Sequence, residues 1–149
     1  MTELFAEDAR YFQTSRSAPD TWIERACELI ADLGGEVRGH AYGMGLNGRG
    51  SFMLAFEIGG EPYKVVWPVL PAQYSKNERA AKVQAATMLY HDIKAKCISA
   101  QVLGTRAAFF SYLLLPDGRT AAEVSTPELS EAIPVLFAPR NPLLMSGER

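Results

Sequence analysis

The sequence predicts an α+β fold: a three-stranded antiparallel sheet backed by two helices, in the order α-β-β-β-α, with a small C-terminal appendix. Three patterns point to it. Apolar residues recur at helical spacing between 20 and 33, alternate in steps of two between 36 and 70, and return to helical spacing from 76 to 102. An antiparallel sheet of this size must cover one apolar face, and two helices are the obvious lid.

Residues 1–18 show no clear period and read as a mobile or partner-dependent N-terminal arm, in which Phe5, Tyr11 and Phe12 are free to dock. The α+β core domain spans 19–125. In its first helix, from about Asp20 to Leu33, Trp22, Ala26, Leu29, Ile30 and Leu33 share one face, and Glu24, Glu28 and Asp32 form the wet face. Ser17 or Asp20 caps its start, Pro19 suits the first turn, and Gly34-Gly35 ends it. A first strand, 36–44, alternates Val37, Gly39, Ala41 and Gly43 with Arg38, His40, Tyr42 and Met44. A second, 51–58, sets Phe52, Leu54, Phe56 and Ile58 on one face. Gly59-Gly60 is a two-residue hairpin signal, and 61–70 resumes as an edge strand bounded by prolines.

The long helix from Lys76 to Val102 takes Ser75 as its N-cap. Val83, Ala86, Leu89, Tyr90, Ile93 and Cys97 form its buried stripe, and Lys76, Gln84, Thr87, His91 and Lys94 its open side. Residues 106–115 fit either a short helix capped by Thr105 or a buried strand. Pro116-Asp117-Gly118-Arg119 is a turn, and Thr120–Val124 reads as a short strand. In the segment 126–149, Thr126-Pro127-Glu128 opens a short helix. The apolar tail that follows holds Val135, Leu136, Phe137, Leu143, Leu144 and Met145. Such side chains are costly in water, so the tail at 134–146 is expected to pack on a neighbouring subunit in a homo-oligomer.

Composition bounds the function. With 149 residues, 48% hydrophobic and 21% charged, the chain makes one globular domain, which excludes a disordered chain and a disulfide scaffold. No apolar run approaches the roughly 18 residues of a membrane helix. The start, Met1-Thr2-Glu3-Leu4-Phe5, has neither a basic leader nor an apolar core, so no signal peptide is expected. Cys27 and Cys97 lie far apart, as free thiols do in a reducing cytoplasm, and a cytoplasmic location is expected. The net charge of −2 is segregated. Residues 1–36 hold three basic and eight acidic residues, 37–107 nine and four, and 108–149 three and five. A field divided in this way steers anionic partners even when the whole is near neutral.

Catalytic patterns are sparse. Gly43-Met44-Gly45-Leu46-Asn47-Gly48 spells G-x-G-x-x-G, but a strand follows it, and the dinucleotide site needs a helix there. A kinase-like glycine loop does lie between strands, with Lys64 in the place of the strand lysine. The H-R-D and D-F-G signatures are missing, however, and a nucleotide-binding enzyme using the Gly43–Gly48 hairpin is the weakest reading. Cys27, His40, His91 and Cys97 lack metal-ligand spacing, so no metal or other cofactor is expected. The acids of the first helix lie on its solvated face and make no catalytic pair.

The basic residues are the remaining signal. Lys76, Arg79 and Lys82 crowd the start of the long helix, where exposed N–H groups and cations together seat a phosphate. Arg38, Arg49, Lys64 and Lys94 extend the set, and Tyr42 is placed to stack on a base.

The segment Ser75-Lys76-Asn77-Glu78-Arg79-Ala80-Ala81-Lys82 resembles the lysine-rich second-helix start of double-stranded RNA-binding domains, with Asn77 in place of the second paired lysine. The element order over residues 20–100 also resembles the Rad52-like single-strand annealing group, which takes in phage recombination proteins and a mitochondrial branch. That resemblance implies rings or filaments that hold single strands along a basic groove. Small proteins of phages and mobile elements are similar to the long helix followed by Leu113-Leu114-Leu115-Pro116-Asp117-Gly118-Arg119-Thr120. The expected function is thus non-enzymatic single-stranded DNA binding or annealing. Arg38, Arg49, Lys64, Lys76, Arg79, Lys82 and Lys94 would contact phosphates and Tyr42 would stack. The rival is a small phage or accessory protein that binds a protein partner and no nucleic acid.

Overall fold

The computed structural model describes residues 3–14, 16–44 and 48–125. Helix α1 (Pro19–Asp32) leads into strands β1 (Glu36–Met44), β2 (Gly50–Ile58) and β3 (Glu61–Pro68). A 3-10 turn, Ser75–Asn77, enters helix α2 (Glu78–Leu103), and the short helix α3 (Thr105–Ala108) follows. The sheet is antiparallel in the order β1-β2-β3. This is the α+β arrangement expected from the alternation of periods.

The register explains the packing. Phe52 stands opposite Tyr42 and Trp67, Leu54 opposite His40 and Val65, and Phe56 opposite Val37 and Tyr63. Paired residues share a face, so one row of side chains from all three strands points at the helices. Ile23, Ala26 and Ile30 of α1 and Ala85, Ala86, Leu89 and Ile93 of α2 close over that row. Trp22, Leu29 and Leu33 pack at its margin. Phe56, Tyr63 and Phe109 form an aromatic knot with ring centroids 5.6–5.8 Å apart.

Residues 3–14, read from the sequence as an arm, fold back on the core. Ala6 is buried, and its N–H donates to the Pro71 carbonyl at 2.8 Å. The Glu7 carboxylate accepts the Gln73 and Tyr74 N–H groups at 2.9 and 3.2 Å and the Asn77 side-chain amide at 2.8 Å. Tyr11 stacks on His91 with ring centroids 4.7 Å apart. This docking corrects the open side expected for α2. Gln84 and Thr87 are buried: Gln84 Nε2 donates to the Ala6 and Arg10 carbonyls at 2.9 and 2.8 Å, and Thr87 Oγ1 donates to the Val83 carbonyl at 2.7 Å.

The helix starts also differ from expectation. Ser75 does not cap α2, because the 3-10 turn intervenes and Asn77 holds the cap position without a side-chain cap hydrogen bond. Ala18 precedes α1 and Pro19 opens it, again without a side-chain cap. Residues 106–115 form neither of the single elements expected. They comprise most of α3, a 3-10 turn at Phe110–Tyr112, and isolated bridges of Leu113 to Tyr63 and Leu114 to Thr120. The turn at 116–119 forms as expected, with the Gly118 N–H donating to the Leu115 carbonyl. Thr120–Val124 is not a strand beyond the Thr120 bridge, and 121–125 is helical. Thr120 and Glu123 form a capping box: the Glu123 N–H donates to Thr120 Oγ1 at 3.2 Å and the Thr120 N–H to Glu123 Oε1 at 2.7 Å. The expected helix at 126 and the tail at 134–146 lie outside the described residues.

Two outcomes follow from this packing. Phe109→Ala empties a fully buried aromatic site and lowers unfolding stability by about 3–5 kcal/mol in urea titration. Glu7 is held at about 2, first by the Gln73 N–H and then by the Asn77 amide, against 4.5 for a free glutamate. A depressed carboxylate stabilises the fold above its ordinary pKa, and the contribution fades as pH falls from 4.5 toward 2. An NMR titration should give the Glu7 carboxyl and the Gln73 amide a shared midpoint near 2; a midpoint at 4.5 for Glu7 would remove the hydrogen bond.

Candidate nucleic-acid interface

The residues expected to bind nucleic acid divide into a cluster and three outliers. The cluster centres on a hollow of about 380 Å³ where the loop end of the β1–β2 hairpin meets the first turns of α2. Tyr42 comes from β1, Arg49 from the loop, and Glu78 and Lys82 from α2. Arg79 follows Lys76 and precedes Lys82 in steps of three, which keeps them on neighbouring parts of one surface.

Tyr42 belongs to the inward-facing row, paired with Phe52 at a ring distance of 5.0 Å. At this end of the sheet the helix covers it only in part, and Tyr42 is 41% exposed. Its ring lies against the backbone of Gly50, where a Cβ would collide with the phenol. The Lys82 ammonium sits 4.2 Å from the ring centroid. The ring thus meets both a glycine backbone and a flexible cation, and a base would stack on it as the Lys82 side chain turns to a phosphate. Lys76 lies 5.9 Å over Tyr74 in the same region. Among the described residues Lys76, Arg79 and Lys82 form no ion pair within 4.0 Å.

The remaining residues do not join this surface. Arg38, at the opposite end of β1, is bound by Glu36 and Glu57, each at 3.0 Å. Lys64 stands opposite Ala55, on the face of the sheet away from the helices. It is five strand positions from Gly50, or roughly 16 Å, and so does not complete a kinase-like glycine loop. Lys94 lies beside Leu33 and Cys97, twelve residues or about 18 Å along α2 from Lys82. Arg49 belongs to the hollow but pairs with Glu3 at 3.0 Å.

A carboxylate already stands just ahead of the phosphate seat expected at the start of the long helix. Glu7 takes the N–H groups at 73 and 74 and the Asn77 amide. The acidic first segment thus neutralises part of the basic middle. Sequence reasoning missed both Glu3 and Glu7, although the opposed charges of 1–36 and 37–107 were the available sign. Gly50 was also missed, because its role follows from the ring above it.

A second concavity runs along the free edge of β3, with a volume of about 690 Å³. Trp67 and Val66 of β3, Met88 of α2, Tyr112 and Ala122 line it, and Leu4 of the arm stands at its margin. Tyr112 is anchored by donating its hydroxyl to Asp92, which Lys96 pairs at 3.2 Å. Burial, reinforced by Asp92, pushes the Tyr112 phenol well above its ordinary pKa. Sequence reasoning did not find this groove, because its walls come from six separate stretches.

Among the described residues no three His, Cys, Asp or Glu side chains gather as metal ligands, and no helix is long and apolar enough to cross a membrane. Gly50→Val should expel the Tyr42 ring from its seat, seen as the disappearance of nuclear Overhauser effects between Tyr42 and Lys82 while those between Phe56 and Tyr63 persist. Compared with protein-family models, curated proteins and solved structures, the chain matches none.

Proposed function

We propose that the chain is a non-enzymatic protein that binds single-stranded nucleic acid, DNA in the first instance, as annealing and recombination proteins of phages and mobile elements do. One observation carries the reading: the Tyr42 ring is partly exposed against Gly50 with the Lys82 ammonium over it, and Arg79 and Lys76 precede Lys82 at the start of α2. An aromatic platform flanked by cations is what a flexible strand requires. Its bases stack and its phosphates follow the positive charge, with little demand on sequence. The binding set contracts to Tyr42, Arg49, Lys76, Arg79 and Lys82. Arg38 drops out because two carboxylates satisfy it, and Lys64 and Lys94 because they face elsewhere. Arg49 contributes by exchanging Glu3 for a phosphate. The proposal places the protein in the cytoplasm, a location supported by the free thiols of Cys27 and Cys97.

Fluorescence anisotropy with a labelled single-stranded oligonucleotide tests the reading. Affinity should fall steeply with salt, and Arg79→Gln with Lys82→Gln should flatten the log–log salt slope by roughly 0.7 for each phosphate no longer neutralised. Tyr42→Ala should cost about 1–3 kcal/mol of binding, the worth of one stacked base. Arg38→Gln should leave binding unchanged. Salt-independent or undetectable binding overturns the proposal in favour of a protein-partner module.

A further inference from the structure

The β3-edge groove meets the cationic hollow at Leu70 but opens along the other edge of the sheet, and it needs an occupant of its own. Its lining is almost wholly apolar. Trp67, Met88 and Tyr112 are only half-buried, and Val66 is 43% exposed. The outer edge of β3 is covered by Leu113 and Leu114 only at Pro62 and Tyr63. From Lys64 to Pro68 no described strand pairs with it. An uncovered edge beside an apolar trough accepts an extended segment, through main-chain hydrogen bonds and alternating side chains.

The position of the described C-terminal helix identifies the segment. Residues 121–125 form one wall of the groove through Ala122 and Glu123, so the chain leaves the described fold at the groove itself. After nine intervening residues comes Val135-Leu136-Phe137, an uncharged run of apolar side chains. Nine residues span up to roughly 30 Å, more than enough to return along β3. A tether this short presents its end at an effective concentration near millimolar. The same segment of another molecule must compete from free solution.

We propose that the groove along β3 is the seat of this chain's own segment at residues 135–137, bound in cis as an added strand. The apolar tail then finds its cover within the molecule, and a neighbouring subunit is not required to bury these three side chains. The proposal does not depend on nucleic-acid binding, since Tyr42 stands on β1 and the groove on the far side of β3, with β2 between them.

Trp67 reports on the groove. The test uses the full chain with Trp22→Phe, which leaves Trp67 as the one remaining tryptophan. In this background Leu136→Asp with Phe137→Asp should shift Trp67 emission to the red and increase its quenching by acrylamide. The shift should be the same at every protein concentration, with a monomer mass in light scattering for both proteins. A synthetic peptide of residues 133–139 added to the tail variant should restore the blue emission. Amide exchange in β2 confirms that the fold is retained. Unchanged Trp67 emission and quenching would overturn the proposal. So would a red shift matched by loss of a dimer mass, which would assign the groove to the tail of a second copy.

Discussion

Phe52, Leu54, Phe56 and Ile58 lie on one face of the central strand, each 5% exposed or less, and the positions of the neighbouring elements follow from that row. Among the described residues β2 is the only strand with strand partners on both sides. A slip of one residue in its register would turn all four side chains to the opposite face. Both helices dock on this row, and α3 brings Phe109 against its Phe56 end. Near the Phe52 end the helical cover thins, and there Tyr42 emerges beside Lys82. One alternating tetrad therefore determines where the core is sealed and where an aromatic ring is left for a ligand.

The strands and helices were legible because each repeats at its own period. Phe52 through Ile58 alternate cleanly, Gly59-Gly60 marks the turn, and no strand runs as long as α2. Elements that depend on remote partners were not legible. Gln84 and Thr87 occupy the polar side of α2 by spacing, yet both are buried, Gln84 by bonding the docked arm and Thr87 with its hydroxyl turned to its own helix. The 3-10 turn before α2 defeats a capping argument that assumes the helix begins at Lys76. Thr120 and Glu123 are different. Their spacing is that of a capping box, a local signal that the reading of Thr120–Val124 as a strand overlooked.

The candidate site shows the same division. Tyr42, Arg49, Lys76, Arg79 and Lys82 could be gathered from the sequence because hairpin and helix start are adjacent in any α-β-β-β-α arrangement. Electrostatic partners could not. Glu3 meets Arg49 across 46 residues, and Glu57 meets Arg38 across a strand pair. A charge map drawn along the chain shows which segments attract one another. It does not show which cations are already matched.

The grip of Gln84 on the arm carries a consequence for the chain's ancestry. One amide nitrogen reaches two carbonyls, at positions 6 and 10, from inside the core. The distance between those acceptors is set by a single turn of backbone. Descendants of this sequence are thus at liberty to vary the identities at positions 8 and 9, but an inserted or deleted residue there would strand a buried donor. Length, more than spelling, is what selection would guard in that stretch.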